Sequence, residues 1–226
     1  MFDFKRNYRK YFLRCASYQY PYSAYNINHK AIFVHIPKTA GSSIREVMGA
    51  PRLGRLHIDY SHYLRSDSTK FSAYFKFTVI REPVARMQSC FRYLQAGGNQ
   101  SEEDLILTKI VTDSCVSFLD FVRLVQEQQL HCFWPLLWPQ TSFVCDPSGR
   151  IMVDQVLRQE SLEKDYKVLR RKLPDLPEHL PLLNSSNSSD ANECPNEAIK
   201  RVKDLYFRDY SIFYRNEIEH EAACDF

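Results

Sequence analysis

The pattern of apolar positions predicts a strand, a tight loop and a helix early in the chain. Residues 31–36 form an apolar run with a β-branched bias, and Pro37 ends this run. Apolar residues then recur with helical spacing at Ile44, Val47 and Met48. A second unit of the same order follows, and this order of elements is typical of an α/β fold.

The second unit begins with a buried strand predicted at residues 75–80. Pro83 lies where the first turn of the next helix begins, and that helix is predicted to end near Leu94. The apolar stripe of the helix leaves three polar residues together on the opposite side: Arg86, Ser89 and Arg92.

Four further helices are predicted in the second half of the chain. Ser101 begins the first of them, which is predicted to be short, with acidic residues in its first turn. Apolar residues with helical spacing then predict three amphipathic helices, at about 116–129, 162–173 and 196–206. We expect these helices to pack on the faces of the sheet that contains the two predicted strands.

Two irregular segments separate these helices. Residues 132–140 are too rich in proline for a helix and are predicted to form an ordered aromatic loop. Residues 146–149 have a strong turn sequence, Asp-Pro-Ser-Gly. This turn predicts a hairpin that joins residues 143–145 to residues 151–153.

The chain is predicted to be a single domain over residues 1–226, because no internal repeat is present. Residues 1–30 are rich in tyrosine and basic residues, and they are predicted to form an N-terminal arm that packs on the domain or lines an acceptor groove. Residues 174–197 are rich in proline, asparagine and serine, which predicts a mobile loop.

Composition narrows the class of protein. With 44% hydrophobic and 25% charged residues, the chain is globular. No apolar run is long enough for a transmembrane segment, and the first residues lack the apolar core of a signal peptide, so a cytoplasmic protein is expected. Seven cysteines without any Cys-x-x-Cys spacing indicate reduced thiols, not a zinc site or a disulfide framework.

Charge is distributed unevenly along the chain. Residues 1–97 contain 16 Lys and Arg against 5 Asp and Glu, whereas the remainder contains 14 against 22. A basic first half suggests an anionic cofactor, together with an acidic polymer as a possible acceptor. Nucleic acid is the rival polyanion, but no nucleic-acid-binding motif accompanies the charge, so none is expected as a partner.

The loop between the first strand and its helix has the composition of a phosphate-binding site. It offers a cation at Lys38 and a flexible position at Gly41. Its hydroxyl groups belong to Thr39, Ser42 and Ser43. The spacing of Ser43 and Glu46 predicts a capping box, which would place the positive end of the helix beside the loop. The alternative is an ordinary strand-to-helix turn that contains a lysine.

The loop is not the phosphate-binding motif of nucleoside triphosphatases. That motif needs a lysine after its second glycine, followed by a hydroxyl residue for magnesium. Here Lys38 precedes Gly41, and no Gly-Lys pair occurs anywhere in the chain.

A second anion site is predicted at the end of the second strand. Arg81 follows that strand, and Ser89 lies on the helix after it. Ligands of open α/β sheets bind beyond the carboxyl ends of the strands, so both residues are expected to converge near the first loop.

Residues 35–43 and 77–89 together resemble the two cofactor motifs of sulfotransferases that use 3′-phosphoadenosine 5′-phosphosulfate (PAPS). The likeness is greatest to the carbohydrate branch related to heparan and dermatan 2-O-sulfotransferases. Weaker likenesses follow at residues 117–122, 139–140, 158–165 and 183–185. The resemblance implies a P-loop-like, three-layer fold with a central, mainly parallel sheet flanked by helices.

The resemblance also implies a cofactor and the residues that hold it. The first motif would bind the 5′-phosphosulfate through Lys38, Thr39, Ala40, Gly41, Ser42 and Ser43. The second would bind the 3′-phosphate through Arg81 and Ser89, with Ser185 as a further contact. Adenosine 3′,5′-bisphosphate would be the product, and no metal is required by this arrangement.

Sulfuryl transfer needs charge stabilisation and a base. Lys38 is placed to neutralise the charge on the leaving phosphate oxygen. The acceptor hydroxyl needs a base, for which histidine is suited; the resemblance points to His57, with His62 as the second candidate. His35 lies inside the strand and is predicted to be packed.

Three functions therefore compete. The leading hypothesis is a PAPS-dependent sulfotransferase (EC 2.8.2 type) that acts on a hydroxyl of a glycan or related acceptor. A P-loop kinase that uses ATP or GTP is the second, although its motif is missing. A non-catalytic polyanion-binding module is the third.

Overall fold

A parallel sheet lies at the centre of the fold. The computed structural model describes residues 20–51, 57–181 and 194–215. The strands of the sheet are β1 (Ala31–Val34), β2 (Phe75–Ile80) and β3 (Gln155–Arg158), in the order β1-β2-β3. Val34 pairs with Thr78 and Ile80 pairs with Arg158, both in parallel. The carboxyl ends of all three strands therefore lie at one edge of the sheet, which we call the carboxyl edge.

Helices connect and cover these strands. Those before and just after β2 are α1 (Ala24–His29), α2 (Gly41–Val47), α3 (Tyr60–Ser66), α4 (Ser68–Ala73) and α5 (Pro83–Gln95). Those between α5 and β3 are α6 (Glu102–Ser114), α7 (Phe118–Glu127), α8 (Leu130–Phe133) and α9 (Thr141–Val144). A short 3₁₀ turn (Gln159–Ser161) follows β3 and leads into α10 (Leu162–Lys172), which precedes α11 (Asn196–Leu205) and α12 (Phe207–Phe213).

The two faces of the sheet are covered by different helices. Alternate strand residues point to opposite faces, so Phe33 and Phe77 pack with α2 and α10, whereas Ile32 and Ile80 pack with α3, α9 and α12. A third apolar cluster joins α5, α6, α7 and α11. The layered α/β architecture predicted from the sequence is confirmed.

Most long amphipathic helices lie where their apolar spacing predicts them. Ser101 caps α6 by accepting a hydrogen bond from the Asp104 backbone N–H, and acidic residues fill the first turn. Helices α7, α10 and α11 match the predicted segments within a few residues. The short helices α3 and α4 were not predicted, because each has fewer than two turns of mixed apolar and polar residues.

The predicted hairpin around residues 146–149 is wrong in part. The turn is present, with the Gly149 N–H bonded to the Asp146 carbonyl. However, its first arm is the helix α9, and only Cys145 and Ile151 form an antiparallel bridge. The Asp146 side chain accepts bonds from the Ser148 and Arg150 amides, which closes the turn without a strand ladder.

The predicted arm and the predicted mobile loop are described only in part. Tyr22 of the arm is buried and contacts Tyr63 and Tyr74, edge to face. Leu176 at the start of the predicted loop is also buried, and the Pro177 carbonyl accepts a bond from Tyr166. Of the described helices, none combines the length and the apolar character needed to cross a bilayer.

Candidate active site

The loop after β1 has an unusual backbone. Lys38 and Ala40 both adopt positive φ angles, of 68° and 64°, which non-glycine residues rarely do. Left-handed residues in a loop can turn backbone N–H groups to one side and so form a concavity for an anion. The buried Thr39 hydroxyl donates to the Ile36 carbonyl at 2.9 Å, so this side chain holds the loop in shape. Such strain is common at functional sites.

The predicted capping box at Ser43 and Glu46 is wrong. Helix α2 begins at Gly41, with Ala40 as its N-cap, and no side chain caps it. The left-handed conformation of Ala40 starts the helix earlier than the serines suggest. Ser42 and Ser43 are therefore residues of the first helical turn, where Ser43 is buried and Ser42 is half-buried.

Gly41 is required by a packing contact. A Cβ atom at this position would lie 2.1 Å from both Cδ2 and Nε2 of the His35 ring. That ring is buried, as predicted, and it stacks on Phe33 with ring centroids 5.4 Å apart. Only a residue without a side chain lets the loop pass this close to the strand.

The Lys38 ammonium group lies over an aromatic ring. Its Nζ atom is 4.2 Å from the centroid of the Tyr93 ring on α5, which is a cation–π contact. The Tyr93 hydroxyl in turn donates to Asp104 Oδ2 at 2.5 Å. Tyr93 therefore holds the Lys38 side chain on the side of the loop that faces α5.

Arg81 and Lys38 meet at the carboxyl edge. Arg81 Nη1 makes a long hydrogen bond of 3.5 Å to the Lys38 carbonyl oxygen. Burial lowers the pKa of Arg81, and the nearby positive charge of Arg92 lowers it further, while Glu160 opposes this. The Arg81 guanidinium therefore lies beside the backbone of the first loop, where the sequence predicts an anion site.

The main chain of Arg81 is clamped by a side chain from a distant segment. The Gln140 amide oxygen accepts from the Arg81 N–H at 2.9 Å, and the Gln140 amide nitrogen donates to the Arg81 carbonyl at 2.7 Å. Gln140 and Asp209 are both fully buried, and Asp209 binds the Gln140 backbone N–H at 2.8 Å. The weak likeness at Pro139-Gln140 is the one sign of this residue in the sequence analysis.

Glu82 starts helix α5 and receives support from two other elements. Its carboxylate accepts from the Val84 and Ala85 amides, so it acts as the N-cap. Tyr210 of α12 donates to the same carboxylate. Glu160, which follows β3, accepts from the Glu82 backbone N–H at 2.6 Å. The segments that follow β2 and β3 are therefore joined at the carboxyl edge.

The three polar residues predicted on one side of α5 occupy different environments. Arg86 is fully buried, contrary to the prediction, and its Nη2 atom donates to the Trp138 carbonyl at 2.5 Å. The aromatic segment that packs beside α5 covers this arginine. Ser89 is half-buried and Arg92 is exposed. Within the described part of the chain, no hydrogen bond joins Ser89 to Arg81.

The two candidate bases differ in their surroundings. His57 Nδ1 lies 3.3 Å from the His35 carbonyl oxygen, and the two rings are 4.6 Å apart. His62 Nδ1 lies 3.1 Å from the Asp59 carboxylate. Partial burial acts to raise the pKa of Asp59, but hydrogen bonds from His62 and Ser61 outweigh it and lower this pKa to about 2. His57 is thus the candidate that contacts the segment leading from β1 into the loop.

Two remaining predictions concern Ser185 and metal binding. Ser185 lies outside the described residues. Across residues 20–51, 57–181 and 194–215, there is no group of three or more His, Cys, Asp or Glu side chains that could hold a metal ion.

Comparison with known proteins identifies the class. The model of the sulfotransferase family matches residues 23–215, which include both cation-bearing segments and the whole described sheet. The chain therefore belongs to the sulfotransferase family, whose members transfer sulfuryl groups and generally use PAPS as the donor. No curated protein and no solved structure matches the chain.

Proposed function

We propose that this protein transfers a sulfuryl group from PAPS to a hydroxyl group of a carbohydrate or related acceptor. The observation that carries this proposal is the meeting of Lys38 and Arg81, joined by the Arg81 Nη1 contact to the Lys38 carbonyl at 3.5 Å. This contact places Arg81, which follows one strand, against the loop that follows another, and a ligand with two separate phosphate groups would use a cation from each segment.

The chemistry of the donor set fits this cofactor. The left-handed backbone at Lys38 and Ala40, together with Thr39, Gly41, Ser42 and Ser43, would hold the 5′-phosphosulfate. Arg81 and Ser89 would hold the 3′-phosphate, as the resemblance implies. When bound, PAPS supplies an activated sulfuryl group with a phosphate leaving group.

Lys38 and His57 have distinct roles in the proposed reaction. Lys38 carries the positive charge that stabilises negative charge on the leaving oxygen. In the tautomer in which His57 Nδ1 donates to the His35 carbonyl, Nε2 carries the lone pair that can accept the proton of the acceptor hydroxyl. The carbonyl contact therefore orients the imidazole ring as a base.

Nucleotide binding tests the cofactor. We expect adenosine 3′,5′-bisphosphate to bind in the presence of EDTA, measured by isothermal titration calorimetry. Lys38→Ala and Arg81→Ala should each weaken binding about 10- to 100-fold, as expected for the loss of a charge-assisted contact. Lys172→Ala and Arg171→Ala are matched controls, since both lie exposed at the distal end of α10 and should not change the affinity.

A transfer assay tests the reaction. Mass-detected transfer of sulfate from PAPS to a panel of sugars and phenols should give product, with sugars preferred. Magnesium-dependent binding of ATP or GTP in place of adenosine 3′,5′-bisphosphate would indicate a kinase instead. Binding of polyanions without any transfer would indicate a binding module. The cytoplasmic localisation expected from the sequence stays a prediction.

A further inference from the structure

We propose that Gln140 is a positioning residue for Arg81, and that it acts by fixing the backbone from which the Arg81 side chain extends. The inference rests on the proposed function, because Arg81 is the residue assigned to the 3′-phosphate. Gln140 itself touches neither Lys38 nor the loop after β1 in its described hydrogen bonds, so its effect on cofactor binding would pass through Arg81.

The clamp replaces a strand partner where β2 ends. Inside β2, backbone groups bond to the neighbouring strands, but Arg81 is the first residue after the strand. The Gln140 amide accepts from the Arg81 N–H at 2.9 Å and donates to its carbonyl at 2.7 Å, which is the exchange that one residue of an antiparallel strand would make. Because one partner is a donor and the other an acceptor, the orientation of the amide is fixed.

The clamp is shielded from water and is anchored in turn. Gln140 is fully buried, so water does not compete for these two bonds. The buried Asp209 carboxylate on α12 accepts from the backbone N–H groups of Gln140 and Thr141, at 2.8 and 2.9 Å, and from the Thr141 hydroxyl at 3.0 Å. An unbroken series of bonds therefore leads from α12 through Gln140 to Arg81.

This arrangement preorganises the cation. A guanidinium group on a loose loop loses freedom when it binds phosphate, and this loss weakens binding. With both backbone groups of Arg81 fixed, the side chain starts from a defined position beside the Lys38 carbonyl. Removing the clamp should therefore reduce the contribution of Arg81 to nucleotide affinity, although the charge of Arg81 remains.

A double-mutant cycle on nucleotide binding tests the inference. Gln140→Ala would be made in the natural chain, in the Lys38→Ala variant and in the Arg81→Ala variant. Affinity for adenosine 3′,5′-bisphosphate should fall about 10-fold in the first two backgrounds and less than about twofold in the third. Equal losses in all three backgrounds would overturn the inference, because Gln140 would then act on the fold in general.

A second variant keeps the test decisive if Gln140→Ala does not fold. In Gln140→Glu, the protonated carboxyl can still accept from the Arg81 N–H and donate to its carbonyl, whereas the ionised form cannot donate. Burial and the nearby Asp209 carboxylate should raise the pKa of the introduced carboxyl, so the affinity of this variant should approach that of the natural chain at pH 5.5 and fall about 10-fold below it at pH 8. An affinity deficit that is independent of pH would contradict the clamp.

The two possible failures can be told apart. If the natural chain does not bind adenosine 3′,5′-bisphosphate at all, the proposed function fails and this inference fails with it. If the natural chain binds but Gln140→Ala causes the same loss of affinity with and without Arg81, only the role of Gln140 is overturned. Circular dichroism of each variant at both pH values shows whether a loss of binding reflects unfolding.

Discussion

The two cation-bearing segments of the site are held in place in different ways. The loop at residues 37–43 is shaped by its own backbone, by the Thr39 hydroxyl and by a close contact between Gly41 and His35. All of these interactions are local in sequence. The segment at Arg81 and Glu82 depends instead on distant side chains 59 to 128 positions away, those of Gln140 just before α9, Glu160 in the 3₁₀ turn after β3, and Tyr210 on α12.

This difference indicates how each segment can be disturbed. A loop shaped by local interactions loses its conformation when its own residues are replaced, because a few strained positions determine that conformation. A segment fixed from a distance fails when any of its remote partners is lost. Three substitutions test this distinction and a fourth serves as a reference outside both segments, and we take them from the largest expected effect to the smallest.

Removal of His57 tests whether the reaction depends on the histidine that contacts the His35 carbonyl, just before the first segment. With His57→Ala we expect kcat to fall about 10²- to 10⁴-fold, as is usual when a general base is lost, with little change in the affinity for adenosine 3′,5′-bisphosphate. His62→Ala is the matched control and should leave kcat within a few fold of the natural value. Initial rates at saturating PAPS measure both. A larger loss in His62→Ala would move the role of base to the His62–Asp59 pair.

A side chain at position 41 tests the local packing of the first segment. Gly41→Ala places a Cβ atom 2.1 Å from the buried His35 ring, so we expect a loss of about 2–3 kcal/mol in the free energy of unfolding, together with weaker nucleotide binding. Gly49→Ala is the control, since no atom lies within 4 Å of its Cβ position and only its positive φ is strained. That control should cost about 1 kcal/mol in urea unfolding. Equal costs for the two variants would refute the packing argument.

Loss of one remote hydroxyl tests the second segment. Burial and the Glu82 carboxylate both raise the pKa of Tyr210, so its hydroxyl stays protonated and keeps donating to Glu82. Tyr210→Phe should cost about 1.5 kcal/mol of stability and also weaken nucleotide binding a few fold. Tyr166→Phe removes a comparable bond to the Pro177 carbonyl and should cost about 1 kcal/mol without any effect on binding. If both variants bind equally well, Tyr210 does not support the site.

The pH dependence of stability in an Asp59 variant provides a reference, because Asp59 belongs to neither segment. The pKa of Asp59 is about 2 in the folded protein against 3.8 for the unfolded group, so its contribution to stability is complete above about pH 4 and is lost as the pH falls towards 2. Because Asp59 is only half-buried, we expect this contribution to be about 1 kcal/mol. Asp59→Asn should remove it, as measured by thermal unfolding between pH 2 and 7. If the natural chain loses no more stability than Asp59→Asn between pH 4 and 2, the lowered pKa of Asp59 is contradicted.

The sequence predicts those parts of the fold that have a local pattern. Apolar runs identified β1 and β2, helical spacing identified α5, α7, α10 and α11, and the Ser101 cap with its acidic first turn identified α6. Strand β3 was missed, because Gln155 and Arg158 give it polar ends and leave only two apolar residues between them. The capping box failed because the positive φ of Ala40 is not a property that alanine suggests.

The site was predictable to a similar extent. The position of Lys38 and Arg81 at one edge was predictable because both follow apolar strands in parallel register, whereas their role as cofactor contacts stays a prediction. Asp209 and Tyr93 were not predicted, and Gln140 was marked only by a weak likeness, since each reaches the candidate site through a tertiary contact with no local spacing. A glutamine between proline and threonine gives no sign that it will clamp a strand end 59 positions earlier.

The contact between Gly41 and His35 has a consequence for how this chain can diverge. The imidazole ring occupies the volume that any side chain at position 41 would need, so the two positions are sterically coupled. A descendant with alanine at 41 would need a smaller residue at 35, and the two replacements would be tolerated together but not singly. Paired replacement at 35 and 41 is thus the evolutionary signature expected of this loop.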